Sequence, residues 1–148
     1  MAFRFSLRGL LRLRASQERA ERMRLMALAA EILQTQLTAA SLVEENLQAK
    51  RRMQQQLTRG LMGAELYWER ICEESRMRRR NALLKALAGL TVRYNRQSAV
   101  YQRVLRQLRV LENLRARRYK QYRAEQARRE QRSLDDSFLL HSFHPTEG

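Results

Sequence analysis

The sequence predicts an all-α protein folded as a long two-helix antiparallel coiled-coil hairpin, and three observations predict it. Five Gly and one Pro in 148 residues leave too little turn punctuation for a sheet-rich or multi-loop fold. Two stretches carry apolar residues at alternating intervals of three and four, the spacing of a coiled-coil seam. Between them lies the densest pair of helix breakers in the chain, Gly60 and Gly63 in TRGLMGAE. Charged residues make up 30% of the chain and are spread evenly, so few uninterrupted apolar runs are left to build a compact core.

Helix 1 is expected over about residues 5–58. Its seam reads Met23, Met26, Ala30, Leu33, Leu37, Ala40, Glu44 and Leu47, all apolar but Glu44. The phase slips near Lys50, Arg51 and Arg52 and returns at Leu57, Leu61, Ala64, Trp68 and Ile71, as a stutter or a turn would produce. Glycine in a helix interior costs about 1 kcal/mol relative to alanine, so the glycine pair favours a turn, over about residues 59–63. Helix 2 is expected over about residues 64–133, with a seam of Leu83, Leu87, Leu90, Tyr94, Gln97, Tyr101, Val104, Leu108 and Leu111 that fades beyond Arg115 into Tyr119 and Tyr122. Gly89 marks a point where this helix is expected to bend or to be approached closely by its partner's backbone.

A short connection between helices with facing apolar stripes favours an antiparallel pair. One continuous helix pairing in parallel with a second copy fits the same seven-residue pattern, and the glycine pair favours the hairpin over it. After Arg132 the sequence SLDDSFLLHSFHPTEG loses periodicity and reaches the only proline, Pro145. The expected organisation is therefore a coiled coil over 1–133 and a flexible tail over 134–148.

Catalysis needs titratable groups converging in a water-poor pocket, which a helical hairpin does not supply, so no enzyme is expected. His141 and His144 fall three apart near Asp135 and Asp136, but two ligands in a tail make a poor metal site, and neither a metal nor a cofactor is expected. The single Cys72 excludes an intramolecular disulfide, and there is no glycine-rich phosphate loop. Arg or Glu interrupts each apolar stretch before it reaches the length of a membrane span, which reads as a soluble chain. The start, FRFSLRGLLRLRAS, has the Arg-rich, acid-free composition of a transit peptide, although the helical pattern continues past it without a break.

The formal charge is +15, and its distribution is uneven. Folding the hairpin would bring Arg4, Arg8, Arg12, Arg14, Arg19, Arg22 and Arg24 beside the arginines and lysine of residues 115–132, whereas residues 31–63 are close to balance. A one-sign end of this kind implies an acidic partner: nucleic acid, anionic lipid or an acidic protein surface. Tyr119 and Tyr122 among arginines could stack on exposed bases, but they also continue the seam, where packing is the favoured role. No helix-turn-helix, zinc finger or aromatic sheet motif is present, and no specific nucleic acid is expected.

The start at Phe3, Phe5, Leu7, Leu10 and Leu11, the all-helical length, and the ending LRVLENLRARRYKQYRAEQARREQRSLDD with Leu134, Asp135 and Asp136 resemble the flagellar export protein family FliJ. That family is the coiled-coil stalk of the type III export ATPase, and the stalks of virulence secretion systems share its architecture. The resemblance implies a cytoplasmic protein peripheral to the membrane at the export apparatus. Its expected partners are a hexameric flagellar export ATPase, the membrane export gate protein and export chaperones. By the same resemblance, the open end would contact the ATPase through Phe5, Leu7, Arg8, Leu10, Leu11, Arg12, Arg14, Arg117, Arg118, Tyr119, Tyr122 and Arg123. The gate would be met nearer the turn, with Gln36, Leu37, Leu47, Trp68 and Ile71 chosen by position; the last four are also expected seam residues, for which packing is the favoured role. The alternative function is a basic coiled-coil scaffold or nucleic-acid-binding protein.

Overall fold

A computed structural model describes residues 2–60 and 62–143. The described residues form two helices, α1 (Arg8–Leu57) and α2 (Gly63–Phe143), in an all-α helical hairpin. Contacts divide the chain into two compact units, Met1–Glu18 with Arg103–Gly148, and Arg19–Gln102.

The second unit contains the turn. α1 ends at Leu57, where the Thr58 hydroxyl donates to the Gln55 carbonyl at 2.6 Å and the Arg59 amide donates to the Gln56 carbonyl at 3.0 Å. Gly60 follows with φ of 85°, the left-handed conformation that a side chain resists. α2 starts with Glu65 in its first turn, where a carboxylate complements the helix dipole. Of the two glycines that announced the turn, only Gly60 uses glycine's freedom, since Gly63 is helical and Leu61 lies outside the described residues. A Cβ at position 60 would meet no atom within 4 Å. Gly60→Ala is therefore expected to lower stability through the backbone alone, by about 1–2 kcal/mol, read as a lower urea midpoint with an unchanged slope.

Antiparallel pairing follows from the contacts of this unit, in which the α2 partner's number falls as α1 advances. The Gln97 amide donates to both the Glu21 carbonyl oxygen and its carboxylate, Arg76 Nε donates to Asn46 Oδ1 at 3.2 Å, and Lys50 Nζ lies 3.4 Å from Glu73. On α1 the buried or half-buried line runs Glu21, Leu25, Leu28, Ile32, Thr35, Ala39, Leu42, Asn46, Ala49 and Met53. On α2 it runs Glu69, Glu73, Arg76, Arg80, Leu83, Leu87, Leu90, Tyr94, Gln97 and Tyr101. The expected helix 2 seam is thus in place from Leu83 onward.

The expected helix 1 seam is not. Met23, Met26, Ala30, Leu33, Leu37, Ala40, Glu44 and Leu47 are all exposed, with Met23 at 69% and Leu37 at 58%, whereas Leu42 is at 4%. Their continuation at Leu57, Ala64, Trp68 and Ile71 is exposed as well. The physical reason is that the true line carries polar residues that satisfy one another across the helices. Arg76 Nη2 meets Glu69 at 2.8 Å while its Nε holds Asn46, so the polar members cost little to half-bury.

Gly89 lies inside a continuous α2 with no atom within 4 Å of where a Cβ would stand, so the close approach expected there is not made. α2 also runs on to Phe143 instead of ending near residue 133. No Gly or Pro intervenes before Pro145, itself outside the described residues. Local bonds support the last turns: Gln131 Nε2 donates to Asp135 at 3.1 Å and Ser142 Oγ donates to the Leu139 carbonyl at 2.9 Å. Residues 127–143 are exposed throughout.

By length and composition α1 is apolar enough to cross a membrane, with a stretch of mean hydropathy 1.2, a test that one core helix or signal sequence also passes. Glu31 interrupts that stretch, as expected, but does not shorten it below the length of a span. Residues 25–43 hold one charge, Glu31, because apolar residues occupy two faces of the helix there.

Candidate functional site

The unit formed by Met1–Glu18 and Arg103–Gly148 contains all twelve residues expected at the open end. Residues 2–5 precede α1 without helical structure, and the Arg8 amide donates to the Phe5 carbonyl at 3.2 Å as the chain turns into the helix. This short segment lays its aromatic rings on α2. The Phe3 ring meets Tyr119 edge-on at 5.3 Å between centroids and Tyr122 at 5.5 Å. Phe5 is buried, and the Arg118 guanidinium stands 5.6 Å from its ring centroid. Arg118 Nη1 also donates to Ser6 Oγ at 2.8 Å. Aromatic pairs of this geometry add about 0.5–1.5 kcal/mol each and an exposed cation over a ring about 0.5–1 kcal/mol, which fastens the first residues of the chain to α2.

Below this clasp the helices pack through Leu7, Leu11, Val104, Leu108, Leu111 and Leu114, of which Leu108 and Leu111 are buried. Arg14 bridges the helices, donating from Nη1 to Gln107 Oε1 at 2.8 Å and to Gln17 Oε1 at 3.1 Å. Phe5, Leu7, Leu11, Arg14, Arg118 and Tyr122 therefore spend their side chains on assembling this end. Leu10, Arg8, Arg12, Arg117 and Arg123 point to solvent, and these four arginines make no ion pair among the described residues. Tyr119, 46% exposed, is shared between Phe3 and solvent. Tyr122 is half-buried, as packing requires, but against Phe3 and not a seam residue of α1, whereas the burial expected of Tyr119 is not found. Phe3, Ser6 and Gln107 join this end without a strong mark in the sequence; the one signal for Phe3 is its place two residues before Phe5.

The surface that results is cationic with apolar inserts. Along residues 115–132 of α2 the described acids are Glu125, paired with Arg129 at 2.9 Å, and Glu130. The residues chosen for the export gate belong to the other unit. Gln36, Leu37 and Leu47 on α1 and Trp68 and Ile71 on α2 are all exposed, so the packing role expected of the last four is not theirs.

No known protein family, curated protein or solved structure matches this chain.

Among the described residues no group of three or more His, Cys, Asp or Glu could hold a metal ion. His141 Nδ1 lies 3.0 Å from the Ser137 carbonyl of its own helix, and His144 lies outside the described residues. The grooves of this unit are shallow and open, one of them bordered by Phe3, Arg4, Arg118 and Tyr122. Such a surface can dock an anionic or mixed partner through charge and apolar contact.

Proposed function

We propose that this chain is the central stalk of a flagellar type III protein export apparatus. Its open helical end enters a hexameric export ATPase and promotes assembly and activity. Its body links the ATPase to the membrane export gate and to export chaperones, from a cytoplasmic position at the inner membrane. The protein acts by binding and carries out no reaction of its own. The observation that carries the reading is the clasped basic end: Phe3 and Phe5 hold the first residues on α2 while Arg8, Arg12, Arg117 and Arg123 stay unpaired and outward. A rigid, cationic, partly apolar tip suits entry into a ring whose lining offers acids and apolar side chains. The resemblance of both chain ends to the export-stalk family supports the same assignment.

The test is to titrate the chain into the export ATPase of the same organism at physiological salt and follow ATP turnover and hexamer formation. Stimulation saturating near one chain per hexamer is expected. No effect, together with tight binding to random DNA that collapses as salt rises, would move the function to the alternative, a basic scaffold or nucleic-acid-binding coiled coil.

A further inference from the structure

α1 carries two seams, and α2 occupies one of them. The second, Met23, Met26, Ala30, Leu33, Leu37, Ala40, Glu44 and Leu47, keeps the same alternation of three and four but is displaced by two residues from the line that meets α2. In a helix that displacement turns it to the opposite, outward face. An exposed apolar line of this length, with Met26 at 65% and Leu33 at 56% exposure, marks an interaction surface.

The order of residues along the line identifies the occupant. Read outward from its midpoint, Leu33 mirrors Leu37, Ala30 mirrors Ala40, Met26 mirrors Glu44 and Met23 mirrors Leu47. A two-fold antiparallel pairing with a copy of itself therefore places leucine on leucine, alanine on alanine and methionine on leucine, large against large and small against small. An isologous interface demands this reciprocity, in which one residue contacts another and receives the same contact back. The flanks agree: Ala27, Ala29, Gln34, Gln36 and Ser41 border the line without charge. Glu31, the one charge between residues 25 and 43, borders instead a groove with Arg93 and Arg96 of α2. Parallel pairing in register would set Glu44 against Glu44, whereas the antiparallel one sets it against Met26.

We infer that the outward face of α1 is a self-association surface, on which two copies pair antiparallel about Thr35, joining two helical hairpins through α1 against α1. The inference does not rest on the export-stalk reading, although Leu37 and Leu47 are also residues chosen for the export gate, because its test reads the mass and register of the chain alone.

Sedimentation equilibrium of the full chain is expected to give a concentration-dependent species of twice 17.6 kDa. Leu33→Glu with Leu37→Glu is expected to weaken association by about a hundredfold or more, as removal of a central apolar anchor does, with helical circular dichroism unchanged because both side chains are exposed in the hairpin. Glu44→Leu is expected to tighten it. Register is read by oxidative cross-linking on a Cys72→Ser background: Met23→Cys mixed with Leu47→Cys is expected to form a covalent dimer, and neither variant alone. A chain that stays at 17.6 kDa at all concentrations, leaving the face to a different helical protein or a lipid surface, overturns the inference. So does Met23→Cys cross-linking to itself, which would mean parallel pairing.

Discussion

Leu42→Asp is expected to abolish the cooperative melting of the helix pair, while Leu37→Asp, five residues away on the same helix, is expected to leave it nearly unchanged. Leu42 is the most buried of the described apolar residues, at 4% exposure. Its replacement forfeits about 1.5–3 kcal/mol of burial and pushes a carboxylate into a seam where its solvation is lost. Asn46, the polar member of that seam one turn away, is already committed to Arg76, so it is not spare to receive it. Leu37 faces outward, where substitutions change stability by about 0.5 kcal/mol or less. The comparison belongs at low chain concentration, followed by circular dichroism on heating, so that self-association does not add to the stability of the parent. Equal losses for both variants would mean that α1 is rotated from the face described above.

The same pair of residues explains how much of this molecule was legible in its sequence. The all-α hairpin and its turn follow from the scarcity of Gly and Pro and from the pair at 60 and 63. On α2 the seam from Leu83 to Leu111 was readable because its positions are leucine, valine and tyrosine with one glutamine. On α1 the hydrophobic count selected the wrong face. The line that meets α2 includes Arg14, Glu18, Glu21, Thr35 and Asn46, while the outward line has Glu44 as its one polar member. Periodicity reports that a helix has an apolar face; it does not report which of two such faces the partner in the same chain will take. Cross-helix bonds decided it, and those join residues far apart in sequence, 30 for Asn46 and Arg76 and 76 for Glu21 and Gln97. The clasp at the open end was half visible. Its arginines and tyrosines were candidates from charge and composition, but the folding of Phe3 onto Tyr119 and Tyr122 is a contact across the chain that no local pattern encodes. The continuation of α2 to Phe143 leaves no periodic mark in the sequence, because an exposed helix needs only the absence of breakers.

Reversing Arg8 and Arg12 to glutamate is expected to separate the stability of the open end from its function, in opposite directions. Arg8 begins α1, whose first turn has no acidic residue, and cations at a helix N-terminus oppose the dipole by about 0.3–1 kcal/mol each at most exposed sites. Neither arginine forms an ion pair among the described residues that would offset this. For the fold alone, glutamate is the better residue at position 8, so the melting midpoint of Arg8→Glu with Arg12→Glu is expected to be no lower than that of the parent. A partner that reads this end by charge responds the other way. Each reversed rim charge slows encounter and flattens the salt dependence, and the pair is expected to raise the concentration needed to stimulate the export ATPase by about tenfold or more at low salt. The measurement is the ATPase titration repeated across salt concentrations beside a thermal melt. Stimulation at unchanged concentrations would remove these arginines from the interface and with them the charge argument for the stalk assignment. A lower melting midpoint would show instead that they serve the fold, against the helix dipole that makes them costly there.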